Sequence, residues 1–254
     1  VPPMQKSSYR WAILFILVFG TAMLNFSNLI FASRPTDVMA QFNMTQGQLT
    51  AISTVGQLPG AFFSIWLGHM FDKKGVRMLP GILLALAAAC QIWRIFATDY
   101  ISLFIITFLA GTFFLPTQIL QGKMLGVWFP REEMGTAMGI YGAAAGIGTT
   151  LAFAFGNMFP SISVAFTFIA VGYVIEAVLW FAVAKMPAHM NAGPAPAMPK
   201  GSYKNVFKSK NMWLLMICGG LSVGAALLLN TYLVNAFLAK GMEPTAASSV
   251  ATTL

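Results

Sequence analysis

Apolar residues fill this chain in long blocks, and polar residues collect in short clusters between them. The blocks at 11–32, 49–71, 78–97, 101–127, 135–159, 164–184 and 211–237 are each about as long as a bilayer-crossing helix. A further block opens near Thr245 and reaches Leu254, so seven spans and the start of an eighth are predicted. The fold class is therefore an all-α membrane protein, because only helices satisfy backbone hydrogen bonds span by span in lipid.

The clusters between the blocks carry an orientation. With the N-terminus in the cytoplasm, the inner segments hold Lys6, Arg10, Lys73, Lys74, Arg77, Lys123, Arg131, Lys185, Lys200, Lys204, Lys208 and Lys210. The outer side keeps Arg34, Arg94 and Lys240, a split of 12 to 3 that fits the positive-inside rule. One missed or invented span would scramble this alternation. The single long polar stretch, 186–210, is rich in Pro and Gly and closes with four lysines. It reads as a flexible cytoplasmic linker whose lysines suit anionic headgroups. The chain is divided accordingly into a bundle over 1–185, the linker over 186–210, and the start of a second bundle over 211–254.

Composition agrees. Hydrophobic residues make up 57% of the chain and charged residues 9%, with a mean hydropathy of +0.73, too apolar for a soluble domain of this length. A net charge of +8 would suit nucleic acid, but the basic residues fall where membrane topology needs them, so no nucleic-acid partner is expected. Cys90 and Cys218 lie inside spans without metal or redox spacing. The methionines and phenylalanines scatter rather than form a metal path, and no metal or cofactor is expected. The first block is read as a retained span, since it is long for a signal peptide and lacks a small-residue cleavage site. No phosphate-binding Gly-rich loop with Lys-Ser/Thr and no zinc-protease motif occurs, and no enzymatic activity is expected.

Residues 68–77, Gly-His-Met-Phe-Asp-Lys-Lys-Gly-Val-Arg, form a tight basic turn between the second and third spans. Gly68 permits a close helix approach, Gly75 a positive φ, and Asp72 can meet a helix N-terminus or an arginine. This turn resembles the loop between helices 2 and 3 of the major facilitator superfamily, with Gly68, Asp72, Lys73, Gly75 and Arg77 at matching places. Met70, Phe71 and Val76 depart from that pattern. The resemblance implies a latch between two six-helix bundles, with Asp72 and Arg77 as latch residues. It also implies about twelve spans in the complete protein, so this chain is expected to be its N-terminal part, including the first bundle and the start of the second. The turn Trp128-Phe129-Pro130-Arg131-Glu132-Glu133 is similar to one found in nitrate and organic-anion porters of the family. Trp93-Arg94, Pro116, Gln118 and Lys123 together resemble its heme and choline branch. The small-residue fifth span, with Gly139, Gly142, Gly146 and Gly148, is expected to pack closely and to rock against the other bundle.

Polar side chains inside spans are costly in hydrocarbon and mark aqueous cavities. Asn25 and Asn28 share a face of the first span. Gln57 lies in the second, Gln118 and Gln121 in the fourth, and Asn230, Tyr232 and Asn235 in the seventh. In the family that the chain resembles, helices 1, 4 and 7 line the cavity, so these residues are the expected substrate lining. Lys123 can attract an anion or snorkel to the headgroups, and Arg94 likewise. Glu176, near the middle of the sixth span, is the candidate for proton coupling, with neutral packing as the alternative. The resemblance implies a monomeric secondary transporter of a small organic or inorganic anion in the bacterial inner membrane, working by alternating access. A non-transporting sensor or a half-sized scaffold is the alternative from another class.

Overall fold

The computed structural model describes residues 8–185 and 208–243, together with 246 and 250. Among them are nine helices and no strand. They are α1 (Tyr9–Ser33), α2 (Pro35–Phe42), α3 (Gln46–Val55), α4 (Leu58–Lys74), α5 (Met78–Arg94), α6 (Tyr100–Trp128), α7 (Arg131–Gly156), α8 (Ile162–Val183) and α9 (Lys210–Ala239). Helices α1, α6, α7 and α8 are long and apolar enough to cross a membrane, and α5 is a shorter apolar helix of 17 residues. The linker expected at 186–210 falls almost wholly outside the described residues, as does most of the eighth span.

Two features depart from the sequence expectation. The second span is not one helix: α3 ends at Val55 and α4 begins at Leu58, with Gly56 and Gln57 at the break. Pro59 supplies the reason, since it has no N–H to bond the Val55 carbonyl and its ring clashes with that turn. The connection after α1 also holds an unexpected helix, α2, which opens on Pro35 and ends at Asn43 in the left-handed region with φ 48°. A capping box then starts α3: Thr45 accepts from the Gln48 N–H, and the Gln48 side chain accepts from the Thr45 N–H.

Helix α1 is the axis of the bundle. It is buried or half-buried throughout from Ile16 to Ser33 and packs on α7, α8 and α6, while α5 packs on α6 and α8, and α4 on α6. Small residues set the distances. A Cβ on Gly148 of α7 would collide with the Ala22 carbonyl of α1, and one on Gly111 of α6 with the Gly56 carbonyl at the break. The outward faces carry large exposed apolar side chains such as Phe15, Ile82, Phe168 and Val171, a surface for lipid rather than water.

The end carrying residues 68–77 is tied down by backbone acceptors. Arg77 donates to the Phe181 carbonyl at 2.8 and 3.0 Å, Trp180 to the Val76 carbonyl at 3.0 Å, and Trp128 to the Lys185 carbonyl at 3.0 Å. Arg10 pairs with Glu133 in the first turn of α7 at 2.8 Å, where an acid also suits the helix dipole. At the other end Arg34 pairs with Asp37 and donates to the Phe159 carbonyl at 2.7 Å. Asp99 caps α6, accepting from the N–H groups of Ile101 and Ser102, and these bonds with the Ser102 side chain hold its carboxyl below the ordinary range.

Candidate functional site

Residues from five helical elements meet around a cavity of about 370 Å³. Helix α1 contributes Thr21, Leu24, Asn25 and Asn28; the α3–α4 break contributes Gln57; α6 contributes Gln118 and Gln121. Tyr141, Gly142 and Ala145 of α7 and Val223 of α9 complete the lining. The break in the second span is what turns Gln57 inward: Gly56 lies flat on Gly111, and a Cβ at 56 would be 3.6 Å from Asn28 Oδ1.

The lining is uncharged, with amides and hydroxyls set among the apolar surfaces of Leu24, Ala145 and Val223. Thr21 donates to the Tyr141 hydroxyl at 3.0 Å, and Asn25 donates one amide hydrogen to the Thr21 carbonyl at 2.9 Å. These bonds fix Thr21 and Asn25, two of the four α1 residues in the lining, so that part of the cavity wall is ordered before any solute arrives. Amides and hydroxyls offer both donors and acceptors, which suits carboxylate, nitrate or hydroxyl groups equally. Among the described residues no group of three His, Cys, Asp or Glu converges on a metal position.

Thus Asn25, Asn28, Gln57, Gln118 and Gln121 are brought together, while Tyr232 is not. Tyr232 of α9 instead accepts a 3.4 Å hydrogen bond from Thr50 of α3, away from the lining. The side chains of Asn230 and Asn235 lie outside the described set. Thr21 and Tyr141 escaped the sequence reading. A lone threonine is unremarkable in a span, and Tyr141 sits in a helix whose small residues drew attention to packing.

The charged candidates are engaged elsewhere. Lys123 is not part of the cavity lining; its Nζ pairs with Asp72 Oδ1 at 2.6 Å. Asp72 thereby meets a lysine of its own bundle rather than an arginine across an interface. Gly68 makes only ordinary contact with Ile119, 3.6 Å from where its Cβ would be, whereas Gly75 has the positive φ expected of it, 83°. Lys73 is exposed.

Arg94 is the largest correction. Expected at an outer headgroup position or as an anion attractor, it is 1% exposed inside the bundle. It donates to Ser27 Oγ at 2.9 Å and Gln91 Oε1 at 3.0 Å, and its guanidinium lies 4.6 Å and 4.2 Å from the ring centres of Phe31 and Phe166. Gln91, one turn before Arg94 on α5, was missed, although two polar residues three apart in an apolar span mark a shared inward face. Glu176 is likewise fully buried, between α8, α1 and α6.

A six-span bundle with a discontinuous second span and a cavity along its central helix defines an all-α transport-type membrane fold. The family model described as Major Facilitator Superfamily matches residues 13–253, so the chain belongs to that superfamily and is an integral multi-pass membrane protein. It is 23% identical over 224 residues to the "Probable L-galactonate transporter" of Escherichia coli (strain K12), covering 80% of this chain and 49% of that protein. It is 24% identical over 135 residues to the "Probable nitrate/nitrite antiporter NarK1" of Thermus thermophilus, covering 53% of this chain and 30% of that one. Among solved structures, a bacterial homolog of the human lysosomal transporter Spinster, inward-facing and unoccupied, superposes with a TM-score of 0.76. That match is 14% identical and covers 96% of this chain and 59% of the other. A D-xylose-proton symporter gives a TM-score of 0.67 at 12% identity, covering 97% of this chain and 66% of the other. The chain thus spans about half the length of the galactonate relative. Its fold is a six-span bundle followed by the start of a second.

Proposed function

We propose that this chain forms the first bundle of a secondary active transporter that moves a small organic or inorganic anion by rocker-switch alternating access. The observation that carries the reading is the uncharged cavity of amides and hydroxyls converging from α1, the α3–α4 break, α6 and α7. Its donors can hold an anion's oxygens without a fixed cation, and a second bundle would close its open side. The names of the galactonate and nitrate/nitrite relatives support an anionic solute. No enzymatic role is proposed. The N-terminus is read as cytoplasmic on the strength of the lysine and arginine distribution, and the monomer and the bacterial inner membrane are read from the family resemblance. The bundle boundary is read at the 186–210 linker. Gly68, Asp72, Lys73, Gly75 and Arg77 are assigned to an inner latch, with Lys123 as the resting partner of Asp72.

The test is uptake by the whole protein in proteoliposomes, comparing labelled galactonate, nitrate and xylose with and without a pH gradient. Uptake of an anion in preference to xylose is expected. Asn25→Ala or Gln118→Ala should each weaken apparent affinity about tenfold, as expected for losing one hydrogen bond to a charged solute. Uptake of xylose alone, or unchanged affinity in both variants, would overturn the assignment.

A further inference from the structure

Helices α7 and α8 follow one another in the chain, yet both pack on α1 and hardly on each other. The space left between them is a cleft of about 300 Å³ with α1 as its floor. Met23 and Phe26 of α1, Leu151 and Phe155 of α7, Phe159 of the next turn and Phe168 of α8 line it. The Met23 thioether is a weak acceptor, and no other lining side chain has a hydrogen-bonding group. The rings of Phe26, Phe159 and Phe168 form a triad, with centres 5.5 to 6.4 Å apart. Met23 reaches α8 because Gly172 leaves room for it: a Cβ there would lie 2.5 Å from the Met23 sulfur.

The cleft and the solute cavity use opposite faces of α1. At about 100° per residue, Met23 and Phe26 point roughly 180° away from Thr21, Leu24, Asn25 and Asn28. Val223 of α9 lies on the cavity side, so the second bundle begins across α1 from the cleft. The mouth is continuous with the apolar outer surface instead. Phe155 and Phe168 at its rim are 47% and 48% exposed, and Val171 and Ile175 extend the same exposed stripe along α8.

This chemistry selects an occupant. Water finds no set of polar partners in the cleft, and an empty cleft would forfeit dispersion contacts along its lining. A helix, about 10 Å across, is too wide for a slot of this volume. An acyl chain is narrow, flexible and abundant beside an integral membrane protein. Charge identifies its source. The lining offers no cation for a fatty-acid carboxylate, and the nearby Arg34, which donates to the Phe159 carbonyl, already pairs with Asp37. A chain whose polar head stays at the membrane surface suits such a cleft.

We propose that the α7–α8 cleft binds an acyl chain of a membrane phospholipid, seated on the back of α1 opposite the solute cavity. The chain enters sideways between Phe155 and Phe168, and no bond is made or broken. Filling the cleft completes the packing of Met23 and Phe26, and so braces the helix whose other face carries Asn25 and Asn28. The site rests on the membrane fold and the cleft itself, not on which solute is carried.

The probe is a phosphatidylcholine with a diazirine in one acyl chain, used as a minor lipid in nanodiscs holding the whole protein. After irradiation, mass spectrometry maps the adducts residue by residue. Phe155 and Phe168 should carry at least about fivefold more label than Ile105 of α6. Ile105 is a fair control, being as exposed as Phe168 and a similar distance into a helix that starts at the same end. Leu151→Phe, which fills the cleft, should bring the two phenylalanines down to the Ile105 level and leave Ile105 unchanged. Added phosphatidylcholine should also raise the melting temperature of the detergent-purified protein more than that of Leu151→Phe. Even labelling of all three residues would reduce the cleft to ordinary lipid contact and overturn the site. Stronger labelling of the cleft by a diazirine fatty acid would overturn the phospholipid assignment, and cross-links there between two protein copies would replace lipid with protein. An equal rise in melting temperature would overturn the bracing of α1. The comparison within the unaltered protein needs no variant, so it decides alone if Leu151→Phe fails to fold.

Discussion

At the scale of single residues, Arg94 and Lys123 each hold specific partners. Arg94 combines two short hydrogen bonds with contacts to two aromatic faces, an arrangement that a planar guanidinium can satisfy and an ammonium cannot. Arg94→Lys should therefore cost about 1–3 kcal/mol through lost stacking and an unpaired Gln91 or Ser27. Thermal unfolding of the purified protein reads this directly, and an unchanged melting temperature would argue against the packing described. The Lys123–Asp72 pair is more exposed and should be worth only about 0.2–1 kcal/mol. Its clearest mark is a double-mutant cycle in which the exchanged pair, Asp72→Lys with Lys123→Asp, is more stable than either single variant. Strict additivity would mean that the pair does not couple.

At the scale of elements, glycine and proline decide the geometry. The second span breaks because Pro59 cannot bond back, and the flat backbone at Gly56 then rests on Gly111 of α6. Gly111→Ala should destabilise the bundle by about 1–3 kcal/mol, since a methyl group there meets backbone that cannot move aside. Gly146→Ala, at a position with open space around it, should change stability by less than about 1 kcal/mol. Equal melting temperatures for the two would refute the close contact. The small residues of α7 thus serve two faces: Gly148 and Ala144 are buried, and Gly148 meets α1, while Gly139, Gly142 and Gly146 meet nothing within 4 Å. Pro59→Ala should let α3 and α4 join. Spin labels at Gln48 and His69 would then move apart towards about 30 Å, the span of a straight helix of that length. An unchanged distance would show that tertiary packing, not proline, holds the break.

At the scale of the whole molecule, orientation is the testable quantity. A cysteine at the exposed Lys74, beside the turn at Gly75, should react with an impermeant thiol reagent only when the cytoplasmic face is opened. Labelling from the outside of intact cells would reverse the topology and the latch assignment with it. The cavity, the Arg94 cluster and Glu176 all lie along α1, so that helix couples the solute wall on one side to the buried polar interior on the other.

The hydrophobic blocks alone determined the all-α membrane class and the approximate positions of the spans of the first bundle, because transfer from water to lipid depends on local composition and length. Gln57 and the amides of the first and fourth spans were legible for the same reason, since a polar group in an apolar block is costly wherever it points. The break at Gly56 was available in the Gly-x-x-Pro spacing but was overridden by the length of the apolar run. Partner choice was not available at all. Arg94 and Lys123 look alike as cations near span ends, yet one turns into aromatic rings and the other to Asp72. Which way a long side chain turns depends on what neighbouring helices present, and that juxtaposition exists only once the bundle has packed.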